Sequence, residues 1–322
     1  MNNKFELSLE DVSFEKISKL FGPNERYLQV LRDYYHVELI YRNSFLSILG
    51  GDELIFKKIG AILEYMLEAN EHSIALQERE ILYACKLADE GKINKLASFY
   101  KEVINKTING KTIYPKTIGQ SYLYKSMKEY DIVFACGVAG TGKTYLAVMY
   151  ALSLLKKNEV EKIILTRPAV EAGESLGFLP GDLKEKVDPY LTPLYDALYD
   201  ALGVETVEKL MEKGIIEIAP LAYMRGRTLN NAFIILDEAQ NSTSAQMKMF
   251  LTRMGFHSKI VITGDITQID LIKKKDSGLV NAKTILQDIK EIAFVELTSA
   301  DVVRNPLVQK IIDSYEKYEN IE

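Results

Sequence analysis

A glycine-rich segment at residues 137–144 has the pattern GxxxxGKT. It follows a strand-length apolar run, 131–136, and precedes a stretch with helical spacing, 145–157. Glycines permit a tight loop whose N–H groups converge on phosphate oxygens, and a helix N-terminus adds partial positive charge. The pattern therefore predicts a nucleoside triphosphate site. The alternative, a fortuitous glycine-rich turn, does not account for strand, loop and helix occurring together.

Two residues of this segment have expected roles in the chemistry. We expect Lys143 to reach the β- and γ-phosphates and the Thr144 hydroxyl to hold Mg²⁺. The predicted nucleotide-binding residues are Gly137, Val138, Ala139, Gly140, Thr141, Gly142, Lys143, Thr144 and Tyr145.

Two adjacent acids, Asp237 and Glu238, follow a second apolar run, 233–236. The carboxyl ends of strands in α/β sheets are where ligands bind. We expect Asp237 to hold Mg²⁺ through water and Glu238 to act as general base for the attacking water. The alternative is that the acids only cap a helix predicted over 242–254.

A third strand ends in polar residues at 261–268. We expect Thr263 or Gln268 to sense the γ-phosphate, with Gln268 as a catalytic residue. The alternative is an ordinary strand followed by a turn at Gly264-Asp265.

These motifs require a sheet that brings strand ends together. Apolar runs of strand length recur between helical stretches, as in a parallel sheet covered on both faces. The predicted strands are 132–135, 162–166, 215–219, 232–236, 259–263 and 292–297. The sequence thus predicts an α/β fold.

The residues before this region predict a smaller α+β module with the order β-α-β-β-α. Strands are expected at 5–9, 37–41 and 45–49, and helices at 24–35 and 52–69, the last capped by Asp52. Residues 71–105 are charged with helical spacing, and Asn109-Gly110 predicts a turn. The predicted domains are 1–70, a helical linker with hairpin at 71–110, and 111–322.

Composition excludes several classes of protein. The chain has 322 residues, enough for about two domains, and a formal net charge of −5, which excludes a bulk basic nucleic-acid coat. Two cysteines make no disulfide framework and fit a reducing compartment. We expect neither a signal peptide nor a membrane span, hence a cytoplasmic location.

The chain resembles the PhoH-like ATPases of bacteria over about residues 111–322. The resemblance rests on the blocks 166–181, 223–229 and 301–304. Residues 237–240 and 264–268 are also similar to motifs II and III of superfamily 1 helicases. The resemblance implies a RecA-like P-loop NTPase that uses ATP and Mg²⁺, with Gln120 reading adenine. Tyr114 is a further candidate for contact with adenine, or alternatively a packing residue of a hairpin.

The first module resembles the KH-like domain of longer PhoH family members. A KH domain clamps a nucleic-acid backbone on a GxxG loop. The matching turn is 22–25, in which Glu25 replaces the second glycine. RNA clamping and a purely scaffolding role both remain open.

We expect the residues after Glu238 to be too few for the second motor lobe of a helicase, which would leave the site open on one side. An arginine supplied in trans would complete it, and the resemblance suggests a hexameric ring. The candidates for this arginine are Arg304, Arg225 and Arg227. In the long segment 167–193, Arg167 and Phe178 are candidates for contacting single-stranded nucleic acid, although an intersubunit role competes.

The expected function is an ATPase that couples hydrolysis to RNA binding or remodelling. The resemblance implies that the protein works with an endoribonuclease of ribosomal RNA maturation. The first alternative is a ring-forming ATPase that switches a protein partner without nucleic acid. A small-molecule kinase is a third, weaker alternative.

Overall fold

The computed structural model describes residues 4–72, 74, 76–99, 101–168, 183–302, 308, 311 and 314. Contacts divide the chain into two units. The first takes its residues from Met1–Glu102, Lys116–Ile118 and Val303–Glu322, and the second from Val103–Pro115 and Gly119–Val302. The predicted bounds 1–70, 71–110 and 111–322 group the residues differently and stay a prediction.

The first unit contains a three-stranded antiparallel sheet of β1 (Lys4–Ser8), β2 (Glu38–Arg42) and β3 (Phe45–Leu49), in the order β1-β3-β2. Its helices are α1 (Phe14–Phe21), α2 (Arg26–Tyr35), α3 (Glu53–Glu71), α4 (Glu78–Asp89) and α5 (Leu96–Phe99). The Asp52 side chain accepts a hydrogen bond from the Ile55 N–H at 2.8 Å, as expected of an N-cap.

Two expectations for this unit were wrong. The predicted order β-α-β-β-α omits the helix α1. The buried residues of α1, Ile17, Leu20 and Phe21, have the spacing of one helix face. The helix expected from residue 24 begins at Arg26, because Asn24 and Glu25 adopt left-handed conformations with φ of 51° and 56°. A short 3₁₀ turn precedes it.

The second unit is built on a six-stranded parallel sheet. A hairpin of β4 (Asn105–Lys106) and β5 (Thr112–Ile113) precedes it. The strands are β6 (Ile132–Gly137), β7 (Lys162–Arg167), β8 (Ile216–Pro220), β9 (Ala232–Leu236), β10 (Lys259–Gly264) and β11 (Ile292–Leu297). Their order is β11-β6-β10-β9-β7-β8. The predicted α/β class is confirmed.

Helices cover both faces of this sheet. They are α6 (Ile118–Glu129), α7 (Lys143–Lys156), α8 (Leu183–Leu202), α9 (Val204–Glu212), α10 (Ser244–Leu251) and α11 (Gly278–Leu286). Alternate residues of β6 enter opposite cores: Val133 packs in the core with α7, and Phe134 in the core with α10 and α11. Burial on both faces explains the near-continuous apolar strands.

The helix expected over 242–254 is shorter than predicted. Thr243 is its N-cap, accepting from the Gln246 N–H at 3.3 Å while the Gln246 side chain accepts from the Thr243 N–H. This capping box starts α10 at Ser244. Among the described residues, no helix has the length and apolar content needed to cross a membrane.

Candidate nucleotide site

The loop between β6 and α7, residues 137–144, is the P-loop. Gly140 and Gly142 have φ of 84° and 79°, a left-handed conformation that favours glycine. A Cβ added to Gly137 would lie 2.3 Å from the Leu297 carbonyl oxygen on β11. The glycines are therefore required by backbone conformation and by the close approach of a neighbouring strand.

Lys143, the first residue of α7, is folded back onto the P-loop. Its Nζ donates to the carbonyl oxygens of Gly137 at 2.5 Å and Val138 at 2.9 Å, and to Thr141 Oγ1 at 3.3 Å. Burial lowers the pKa of Lys143, and the charge of Asp265 opposes that shift. The cation is thus held within the loop that it is expected to serve.

Thr144 and Asp237 meet across the ends of α7 and β9. Thr144 Oγ1 donates to Asp237 Oδ1 at 2.7 Å, and the Thr263 hydroxyl donates to the same carboxylate oxygen at 2.8 Å. Hydroxyl and carboxylate oxygens are the ligand types that Mg²⁺ takes, usually with one or two carboxylates and substrate phosphates. The residues present therefore fit a magnesium ion.

Glu238 has a strained backbone beside this pair, with φ of 50° and ψ of 39°. Non-glycine residues in this region cost about 1–3 kcal/mol and cluster at functional sites. Its carboxylate accepts from Gln240 Nε2 at 2.6 Å and lies 3.6 Å from an Arg167 guanidinium nitrogen. The predicted general base is thus held from two sides.

A chain of hydrogen bonds links Glu238 to the P-loop through Gln240. The Gln240 side chain donates to the Gln268 carbonyl at 3.1 Å and accepts from the Asp265 N–H at 3.0 Å. Asp265 Oδ2 in turn accepts from the Ala139 N–H at 3.0 Å. Hydrogen bonds therefore connect the backbone of the P-loop with the side chain that holds the Glu238 carboxylate.

The three predicted motifs line one cavity of about 250 Å³. Its walls contain residues from the P-loop, from the end of β9 and from the end of β10. They are Ala139, Gly140, Gly142, Lys143, Thr144, Tyr145, Asp237, Glu238, Gly264, Asp265 and Gln268.

Gln120 and Tyr114, the two residues expected to contact adenine, are both buried. Gln120 on α6 is buried behind the P-loop, and its Nε2 donates to the Thr141 carbonyl at 2.9 Å. Tyr114 is buried and is not among the described residues that line the cavity. Tyr145 donates its hydroxyl to Asp200 on α8 at 2.7 Å, and burial raises its pKa.

Two of the candidate arginines, Arg225 and Arg227, are not among the described residues that line the cavity. Arg227 forms a two-point ion pair with Glu217 on β8, at 2.6 and 2.7 Å, and that hydrogen bonding raises its pKa. Arg225 is exposed. Arg304 and Phe178 lie outside the described residues. Arg167, a candidate for contacting nucleic acid, lies beside Glu238, and the sequence does not predict that contact.

Sequence reasoning missed the parts played by Gln240 and Asp265. Both are in the recognised motifs, but neither has a predicted role of its own, and a turn at Gly264-Asp265 is only the alternative interpretation. Their position at strand ends was the available signal.

Comparison with known proteins decides the family. A family model described as PhoH-like protein matches residues 112–316. The chain belongs to the PhoH-like family. A PhoH-like protein of Bacillus subtilis is 54% identical over 298 residues, covering 92% of this chain and 93% of the relative. One of Synechocystis is 47% identical, covering 95% and 93%. One of Mycobacterium bovis is 62% identical over 210 residues, covering 65% and 60%.

The match to the PhoH-like family covers the whole candidate site, because the matched range contains the P-loop, Asp237, Glu238 and Gln268. The family and the parallel sheet with its P-loop indicate an ATPase.

Proposed function

We propose that this PhoH-like protein hydrolyses ATP and couples hydrolysis to binding of single-stranded RNA in the cytoplasm. The observation that carries the ATPase part is the placement of Lys143, the Thr144–Asp237 pair and Glu238 around one cavity. The first residue binds phosphate, the pair holds the metal, and the last activates water.

Each residue has a step that its position supports. Lys143 exchanges the carbonyl oxygens of its own loop for phosphate oxygens, which are better partners for an ammonium group. Thr144 and Asp237 would hold Mg²⁺, which neutralises charge on the phosphates. Glu238 accepts the proton of the attacking water, and Gln240 fixes the direction of its carboxylate.

Gln268 lines the cavity, and its backbone carbonyl contacts Gln240. We propose that its side chain senses the γ-phosphate, as its place in the motif implies. We further propose that Gln120 and Tyr114 serve the adenine end of the nucleotide and that Arg304, Arg225 or Arg227 completes the site of a neighbouring subunit in a hexameric ring.

The RNA part rests on the resemblance to helicase motifs and on the first unit. In that unit the turn at 22–25, which the resemblance matches to the GxxG loop of a KH domain, joins α1 to α2. Gly22 there has φ of 74°. The turn also borders a cavity of about 540 Å³ that includes Lys19 and Tyr27. A partner endoribonuclease is part of this proposal.

A second candidate is a ring that switches a protein partner without RNA, which the net charge of −5 favours. ATP hydrolysis with and without single-stranded RNA separates the two. RNA stimulation that fades as salt rises supports coupling to RNA, because phosphate contacts weaken with salt. Hydrolysis that is indifferent to RNA at every salt concentration favours the protein switch.

A further inference from the structure

We infer that the exposed loop at residues 271–276, here called the lysine loop, binds the phosphate backbone of single-stranded nucleic acid and transmits that binding to Glu238. The inference rests on the proposed function and names the surface that would carry it. The lysine loop is a different part of the chain from Arg167 and Phe178, the residues that the sequence suggested as contacts with nucleic acid.

The lysine loop is a local positive patch on an acidic chain. Lys273, Lys274 and Lys275 are consecutive and exposed, and Asp276 is the one acid within the loop. The chain as a whole carries −5. Ile272 precedes the lysines and its side chain is fully exposed. Cationic groups beside an apolar side chain suit a ligand that offers both phosphates and bases.

The local backbone favours a flexible ligand over a flat protein face. Residues Lys274–Asp276 form a 3₁₀ turn that starts after Lys273. Successive side chains of a 3₁₀ helix point about 120° apart. The side chains of Lys274 and Lys275, the two lysines within the turn, therefore point in different directions, and a flexible single strand can bend to meet both.

Both ends of the lysine loop are tied to the segment that follows Glu238. Before it, Asn241 Nδ2 donates to Asp270 Oδ2 at 2.9 Å, and the Asp270 N–H donates to Asn241 Oδ1 at 2.8 Å. After it, the Ser277 hydroxyl donates to the Gln240 carbonyl at 2.8 Å. Ser277 is fully buried, so this end is well anchored.

The same segment holds the expected general base. Gln240 Nε2 bonds Glu238 at 2.6 Å and the Gln268 carbonyl at 3.1 Å. A displacement of the lysine loop moves Asn241 and Gln240, and Gln240 then reorients the Glu238 carboxylate. Asp270 is thus a positioning residue between an anion-binding surface and the water-activating group.

The first test compares two triple variants with the same charge change, using a fluorescent oligouridylate and a salt titration. One replaces the three lysines of the loop. The control replaces three exposed lysines at the end of α7 and on and after α9, in the segments that precede β7 and β8. The variants are Lys273→Gln/Lys274→Gln/Lys275→Gln and Lys157→Gln/Lys209→Gln/Lys213→Gln.

The loop variant should bind the oligouridylate at least about tenfold more weakly at low salt, with a salt slope lower by about 2, since each lost phosphate contact removes about 0.7. The control variant should keep the wild-type slope. Basal ATP hydrolysis should be unchanged in both, because neither set lines the nucleotide cavity.

The second test separates binding from transmission. Asp270→Ala removes the carboxylate that accepts from Asn241, and should keep RNA binding while losing most of the RNA stimulation. Asp270→Asn retains an oxygen acceptor and should restore stimulation. A purely structural role would change thermal stability in both variants and would show no such rescue.

The remaining outcomes overturn different statements. If the wild-type protein neither binds RNA nor responds to it, the RNA part of the proposed function is wrong and this inference falls with it. If wild type responds and the loop variant responds equally, only the inference is wrong. If the loop variant changes the oligomeric state and leaves RNA binding intact, the loop is a contact between copies of the chain.

Discussion

The same substitution, threonine to valine, should have opposite effects on stability at two buried threonines, one on each of the strands that flank β9. Thr263 on β10 donates its hydroxyl to Asp237 at 2.8 Å. Thr166 on β7 is equally buried, but its hydroxyl has no hydrogen-bond partner among the described residues. Replacing either residue by valine keeps the β-branched shape and removes the hydroxyl.

The magnitudes follow from these contacts. Asp237 is 6% exposed, so Thr263→Val removes a donor from a buried carboxylate, at a cost of about 1.5–3 kcal/mol. Thr166→Val removes a desolvated, unpaired hydroxyl and should stabilise by about 1 kcal/mol. In a domain of 150–250 residues, 1 kcal/mol shifts Tm by about 2–4 °C. Thr263→Val should thus lower Tm by about 3–12 °C, and Thr166→Val should raise it by about 2–4 °C.

Thermal and urea unfolding of nucleotide-free protein, followed by circular dichroism, measures both variants against wild type. The reasoning is refuted if Thr166→Val destabilises the protein as much as Thr263→Val does. That result would mean that burial of the strand ends, and not the bond to Asp237, determines the cost.

Three further substitutions test other parts of the structure. Gly60→Ala in α3 should stabilise by about 0.5–1 kcal/mol in urea unfolding, because a Cβ there meets no atom of the described residues within 4 Å. Gly137→Ala should lower the free energy of unfolding by about 1–3 kcal/mol, and with it the urea midpoint, since its Cβ would collide with the Leu297 carbonyl; an unchanged midpoint would contradict the close strand approach. Arg167→Ala should lower kcat about two- to fivefold with KM for ATP unchanged, because this partly exposed pair only restrains Glu238; a rise in KM alone would place Arg167 on the nucleotide.

The sequence predicted the sheet well because its strands are apolar runs with abrupt polar ends. The run 232–236 coincides with β9, since Asp237 ends it. The helix α1 was missed because its charged residues interrupt an apolar face of only three residues. The predicted start of α2 lies before the observed one, because the left-handed conformations of Asn24 and Glu25 have no strong signature in the local sequence.

The site was predictable as a set of motifs and not as a network. Motif spacing placed Lys143, Asp237 and Glu238 at one sheet edge, as the cavity shows. The bond from Ala139 to Asp265 joins residues 126 positions apart, and no local pattern encodes such a pair. The sequence indicates a functional role for the cation of Arg167. Its contact with Glu238 depends on the pairing of β7 with β9 in the sheet, which the local sequence does not reveal.

The most direct test of the account measures ATP binding and hydrolysis separately in wild type and Glu238→Gln, with Mg²⁺ and without RNA. We predict that Glu238→Gln binds ATP as wild type does, because Lys143 and the Thr144–Asp237 pair are intact. Hydrolysis in a single turnover should fall by about 10²–10⁴-fold, the usual contribution of a general base. Hydrolysis by Glu238→Gln at the wild-type rate would contradict the account.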